Sequence, residues 1–349
     1  FIDPVGTGYS RAVKPELTKK FVSVQGDIDS LGRFIRLYLT RYERWSSPTF
    51  LVGESYGAFR AAGLSEYLVD HGIALNGIML VSSVMNMQTI SFDQGNDLPY
   101  VLSLPSYAAT AWYHKKLGSG TELQKTLKAA EAWAATDYSM ALAKGDRLSP
   151  GERQAVVEKL AGFTGLDNTF IDNHNLRIDP GSYVRELLLK QRQLVGFMDS
   201  RFTSPNLDPA APAGFDPTVA TVRPPFTAMF NDYVRGELGF ESDLEYFTLG
   251  GGTGHWDWEV KNCYSETSDN LRNTFAKNPY MKLFVASGYF DLATPYFATE
   301  YTLTHLGITP ALRENVTKRR YRTGHMMYLD GDAVSQLRRD VAKFISSAL

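Results

Sequence analysis

The chain has 349 residues, 44% of them hydrophobic and 13% aromatic, enough for a large buried core in one elaborated domain or in two. Its net charge is −2, from 36 basic and 38 acidic residues, so nothing in the bulk charge points to nucleic acid or to an anionic membrane. The lone cysteine, Cys263, excludes an intrachain disulfide, and no apolar run approaches the roughly 20 residues needed to span a bilayer.

In chain order, Phe1-Ile2-Asp3-Pro4 reads as the end of a buried strand entering a turn, so further chain is expected ahead of residue 1. Gly6 and Gly8 form a Gly-x-Gly loop, but neither G-x-G-x-x-G nor G-K-[ST] follows, which argues against a phosphate site. From Asp27 to Arg44 the spacing of Ile28, Leu31, Phe34, Ile35, Tyr38, Leu39 and Tyr42 predicts a helix with one face over a sheet. After the break at Ser46-Ser47-Pro48, Thr49 to Val52 is an apolar strand. It runs into Gly53-Glu54-Ser55-Tyr56-Gly57 and then into a helix over Ala58 to Val69. A G-x-S-x-G between strand and helix is the nucleophile elbow of an α/β-hydrolase, in which the turn lifts a serine Oγ above the sheet. The glycines at 53 and 57 are read as letting strand and helix approach closely. The helix N-terminus beside the serine favours developing negative charge.

A third strand is expected within Leu75 to Val84, where Ile78-Met79-Leu80-Val81 has the continuous apolar character of a strand buried on both faces. From Met87 to Pro279 the β-α alternation stops. Helices are predicted over Tyr107–Leu117, Glu122–Lys144, Pro150–Phe163, Pro180–Val195 and Phe226–Glu237, the third opening on the capping box Ser149-Pro150-Gly151-Glu152. Thr203 to Phe226 carries six prolines and reads as a linker. Gly250 to His255 lacks a P-loop lysine and reads as a turn; His255, Asp257 and Glu259 alternate in no metal-ligand pattern. The alternation resumes with a strand over Met281 to Gly288, a helix from Pro295 to Leu306, a basic strand over Val316 to Tyr321 and a closing helix over Asp332 to Leu349. The expected division is therefore a hydrolase core at 1–86, a mainly helical cap at 87–279, and the rest of the core at 280–349. The fold class is α/β: a mostly parallel sheet flanked by helices, with a large helical insertion.

In this fold the nucleophile, acid and histidine follow one another along the chain, the acid after a late strand and the histidine after the last. Ser55, Asp291 and His325 meet both conditions. His325 would take the Ser55 proton, Asp291 would fix the imidazole tautomer, and the Tyr56 backbone N–H would supply one oxyanion donor. Asp291 also suits a helix N-cap, and His325 an ordinary surface position. His71, His114, His174 and His305 lack a strand-end placement and are read as structural or solvated. No metal and no cofactor is called for.

The same residues resemble the serine carboxypeptidases of peptidase family S10. Asp3-Pro4-Val5-Gly6-Thr7-Gly8-Tyr9-Ser10 is similar to that family's D-x-P-x-G-x-G-[FY]-S loop, Gly53 to Gly57 to its G-E-S-Y-G block, Gly288 to Pro295 to its acid block, and Gly324-His325-Met326 to its G-H-M block. The resemblance implies release of C-terminal residues from peptides through an acyl-enzyme. It implies that Glu54 helps bind the substrate's terminal carboxylate, which favours acidic pH because two facing acids share a proton. It also implies that Met326 lines the pocket beside the leaving residue. The low cysteine count suggests a bacterial member, secreted or periplasmic as family members are exported or vacuolar. The sequence departs from the family in three places: no residue separates Asp3 from Pro4, Ala58 stands where a second Gly is usual, and Tyr289 replaces an Asp. The N-G-G-P-G block, which carries the second oxyanion donor, is absent from these residues, so that donor is expected on a preceding segment. An esterase or acyltransferase on the same three residues, and a non-catalytic binding protein on the same scaffold, are the competing readings.

Overall fold

The computed structural model describes residues 1–249 and 252–349. A four-stranded, all-parallel sheet carries the chain. Its strands are β1 (Phe50–Glu54), β2 (Gly77–Val81), and two late strands, Lys282–Gly288 and Val316–Tyr321, in that spatial order. Parallel neighbours need crossovers. Helix α1 (Val24–Arg41) precedes β1, and α2 (Tyr56–Asp70) joins β1 to β2. The long excursion after β2 contains α3 (Leu98–Tyr113), α4 (Leu123–Trp133), α5 (Ser139–Lys144), α6 (Pro150–Thr164), α7 (Asn168–Asn173) and α8 (Pro180–Glu186). It continues with a small antiparallel pair, β3 (Gln193–Val195) and β4 (Thr203–Pro205), then α9 (Pro217–Gly236) and α10 (Ser268–Lys277). The two late strands are β5 and β6, separated by α11 (Tyr296–Thr304) and the short α12 (Pro310–Arg313). Helix α13 (Gly331–Ser347) closes the chain.

Side chains alternate across the sheet, and each face has its own core. Ile78 and Leu80 of β2 and Leu283 and Val285 of β5 point to one side, where they meet Ala58 and Leu68 of α2, Leu271 and Phe275 of α10, and Leu303 of α11. Met79, Phe284 and Ala286 point to the other, against Phe344 of α13. The helical excursion builds a separate core around Tyr107, Tyr138, Leu160 and Tyr183. Fully burying an apolar side chain such as Leu160 contributes about 1.5–3 kcal/mol.

Several expectations change. Phe1 to Pro4 forms no strand and Phe1 is exposed; an extended segment becomes a strand only when a neighbour completes its ladder. Asp3 instead accepts the Tyr9 N–H and the Tyr246 O–H. Helix α1 starts at Val24, with Ser23 as its cap, and packs Ile28 and Leu31 against Leu64 of α2; Phe34, Tyr38 and Tyr42 stay exposed. Helix α3 begins at Leu98, nine residues before the predicted start, and holds Pro99 in its first turn and Pro105 inside it. A π-helical turn at Ala134–Tyr138 interrupts the predicted 122–144 rod and stacks Trp133 on Tyr138. The helix expected to Val195 ends at Glu186. The supposed linker over Thr203–Phe226 holds β4 and the first half of α9, which starts on the Asp216 cap. The Ser149–Glu152 capping box forms as read. Asp257 and Glu259 accept backbone N–H groups, of Glu259 and Gln25. Gly250 and Gly251 of the glycine run lie outside the described residues.

The chain leaves the sheet layer and rejoins it at one place. Met87 N–H donates to Ser265 O and Thr267 N–H to Met85 O. Helix α10 then packs on α2, so the sheet layer recovers the chain before the expected boundary at 279.

Candidate active site

The site lies beyond the carboxyl ends of the parallel strands, where open α/β sheets bind ligands. Ser55 follows β1 with φ 57° and ψ −124°, a backbone conformation that costs a non-glycine residue on the order of 1–3 kcal/mol. Its N–H donates to Val81 O at 3.0 Å, tying the turn to β2. A Cβ on Gly53 would sit 2.0 Å from Gly57 O, so strand and helix meet at this separation only with glycine at 53. Gly57 faces open space and has no positive φ, so the close approach needs only the first of the two glycines. Tyr56 is the first residue of α2, and its N–H has no acceptor within the helix. Its ring lies among Phe59, Trp256 and Trp258.

Asp291 follows β5 and is fully buried. Its Oδ1 accepts the N–H groups of Ala293 and Thr294, both at 2.9 Å. Its Oδ2 is 2.8 Å from His325 Nδ1 and 2.8 Å from Thr294 Oγ1. Asp291 is thus both a local turn cap and the imidazole's partner. His325 is 3% exposed. Its N–H donates to Met198 O and its carbonyl accepts from Ser82 Oγ. Burial alone would lower the His325 pKa. The charge and hydrogen bond of Asp291, with Glu54 and Asp216 further off, outweigh it and hold the imidazole above its ordinary value.

Ser55 and His325 line one cavity of about 330 Å³, together with Glu54, Met198, Met326 and Tyr328. Phe226 and Arg223 of α9 border it as well. No hydrogen bond joins Ser55 Oγ to the imidazole among the described residues; such contacts are often long until substrate is bound. Glu54 is half-buried, and Tyr328 O–H donates to its Oε1 at 3.2 Å. Burial pushes the Glu54 carboxyl up, His325 and Tyr328 pull it partly back, and Asp291 adds to the rise. Burial and the Glu54 charge push the Tyr328 phenol up in turn.

The structure therefore brings Ser55, Asp291, His325, Glu54 and Met326 together, with the Tyr56 N–H at the same helix end. The sequence reading missed Tyr328, Thr294, Ser82 and the stretch from Phe197 to Arg201. Tyr328 was within reach, two residues past Met326 in the loop after the last strand. The others carry no motif. Of the remaining histidines, His114 Nε2 contacts Ser200 O, and His71, His174 and His305 each contact the carbonyl one helical turn earlier. Cys263 is exposed.

A parallel sheet, a strained serine elbow after a strand, and an acid and a histidine after the two last strands define the α/β-hydrolase fold. No protein-family model matches the chain, and no curated protein matches it. Among solved structures it is similar to a highly thermostable carboxyl esterase from Bacillus coagulans in complex with glycerol, at 13% identity and a TM-score of 0.39, over 99% of this chain and 79% of that one. It is also similar to VinJ, at 14% identity and a TM-score of 0.36, over 99% and 79%. Among the described residues, no helix is long and apolar enough to cross a membrane.

Proposed function

We propose that the protein is a serine hydrolase that uses Ser55, His325 and Asp291, and within that class a carboxypeptidase. The observation that carries the reading is the buried His325–Asp291 pair opening onto the cavity that Ser55 lines. His325 Nε2 takes the Ser55 proton as Oγ adds to the scissile carbonyl carbon. The tetrahedral oxyanion faces the Tyr56 N–H at the start of α2. Collapse breaks the bond to the leaving amine, which receives the proton from His325 and departs as the free C-terminal amino acid. Water then adds to the acyl-enzyme with His325 again as base, and Ser55 regains its proton when the acid leaves.

The carboxypeptidase reading rests on the resemblance and on Glu54. A carboxyl held above its usual range stays protonated in mild acid and donates to a substrate carboxylate, whereas its ionised form repels one. Release of free amino acid from N-blocked dipeptides in mild acid, abolished in Ser55→Ala, is the expected result. Equal release by both proteins would sink the reading.

The largely apolar lining of Met198, Val219, Val222, Phe226 and Met326 equally suits an ester or acyl substrate. Rapid turnover of a simple ester without peptide cleavage, unaffected by Glu54→Gln, would favour an esterase. Failure of a fluorophosphonate probe to label Ser55 would favour a non-catalytic scaffold.

A further inference from the structure

The stretch from Phe197 to Arg201 belongs to the helical excursion, yet it is bonded to both the acid loop and the histidine loop. On the acid side, Leu292 N–H donates to Phe197 O at 3.2 Å and Ser200 N–H to Phe290 O at 2.9 Å. On the histidine side, His325 N–H donates to Met198 O at 2.8 Å. The next amide, Gly324 N–H, donates to Asp199 Oδ2 at 3.1 Å. The stretch is fixed from behind by Asp216, whose carboxylate accepts the N–H groups of Phe197 and Met198 at 3.0 and 2.9 Å.

Asp199 is fully buried. Its carboxylate takes the Arg201 guanidinium in a fork, Nε on Oδ1 at 2.9 Å and Nη2 on Oδ2 at 2.7 Å. Arg201 has further donors. Nη1 reaches Arg322 O at 2.9 Å and Asp330 Oδ2 at 2.8 Å, and Nη2 reaches Thr323 Oγ1 at 3.0 Å. One planar group therefore holds the loop on both sides of His325, which lies between Thr323 and Asp330. A lysine has no such fork.

A buried carboxylate loses its hydration, and a well-packed apolar side chain fills the same space without that cost. What this pair supplies is fixed directions. Gly324 fits the arrangement: a Cβ there would lie 2.4 Å from the Asp199 Cβ. With Asp199 packed this closely, residue 324 has no room for a side chain, one residue before His325.

We propose that Asp199 and Arg201 are positioning residues, a clamp of one buried acid and one half-buried arginine contributed by the helical excursion that sets His325 against Asp291. They line no part of the cavity and touch no substrate. The inference rests on the reading of Ser55, His325 and Asp291 as the reacting set. Through the clamp, the geometry of the hydrolase core depends on the excursion that covers it.

Asp199→Asn keeps the shape and removes the charge of the fork. In the full chain, with turnover counted per fluorophosphonate-titrated Ser55, kcat should fall about tenfold or more with KM within about twofold, the mark of misplaced groups rather than lost binding. Amide hydrogen exchange at Gly324 and His325 should quicken while that of β2 and β5 is unchanged. Arg201→Lys should retain more activity than Arg201→Gln. Wild-type kcat in folded Asp199→Asn would overturn the clamp. If that variant does not fold, wild-type kcat in both Arg201 variants does the same. Should the wild-type chain neither hydrolyse a substrate nor label at Ser55, the hydrolase reading falls; the exchange rates still judge the clamp, and unchanged rates at Gly324 and His325 overturn it.

Discussion

Glu54 and His325 face one cavity with opposite requirements. His325 accepts the Ser55 proton only when neutral, and its pKa is held up by Asp291 and by the charge of Glu54. In the proposed carboxypeptidase Glu54 would receive a carboxylate only when protonated, and burial holds its pKa up too. The two titrations are coupled, because protonating Glu54 removes a charge that favours the imidazolium. The sign follows. In Glu54→Gln that charge is gone at every pH, so the His325 pKa falls and the acid limb of kcat/KM on an uncharged ester should move to lower pH. An acid limb that stays in place or moves up would show that Glu54 does not act on His325. Glu54 and His325 were both legible as residues of interest. Their coupling was not, since it depends on a distance between the ends of β1 and β6 that no local pattern encodes.

At the scale of elements, the elbow is a strand, one strained residue and a helix, and its tolerance is uneven. Gly53→Ala drives a methyl group into the Gly57 carbonyl, so the strand or helix must shift; a loss of about 2 kcal/mol or more in urea unfolding is expected, with reduced Ser55 labelling. Gly57→Ala meets open space in the first turn of α2 and should be neutral or stabilising by up to about 1 kcal/mol. Equal losses in the two variants would contradict this geometry. The motif treats the two glycines alike; only the packing separates them. The same lesson applies to α9. Pro217, Pro224 and Pro225 read as a linker because proline breaks helices, but Pro217 occupies the first turn, where no N–H is needed, and helix continues through the other two. A run of prolines is ambiguous until its neighbours are known.

At the scale of the molecule, the sheet is a wall between two cores, and the face covered by α13 depends on few large side chains. Phe344 is buried against Phe284 and Phe50, and Gly77 lies beneath its ring. Phe344→Ala should cost about 3–5 kcal/mol in reversible unfolding, the usual price of emptying an aromatic site that cannot collapse. A loss below about 1 kcal/mol would mean that α13 is not needed to hold this face. The opposite face is shared among α2, α10 and α11, so single truncations there are spread over more neighbours. Strand β1 forms one edge of the sheet, with Val52 67% exposed, and β6 forms the other, where Lys318 and Arg320 pair with Glu300.

The parallel core and three of the site's residues followed from sequence alone for a physical reason. Buried parallel strands need continuous apolar runs, and a serine elbow, an acid after β5 and a histidine after β6 are placed by the chain's own order, so local pattern carries them. Ile78 to Val81, Ser55, Asp291 and His325 are of this kind. What the tertiary structure decided is everything that joins distant segments. It placed α1 on α2, returned α10 to the sheet, set Tyr328 on Glu54, and brought Asp199 and Arg201 from the helical excursion to the backbone of Gly324 and Arg322, beside His325. Asp199 and Gly324 are 125 positions apart, and nothing near either one announces the other. Hydrogen bonds across such separations depend on packing, and packing is a property of the folded chain.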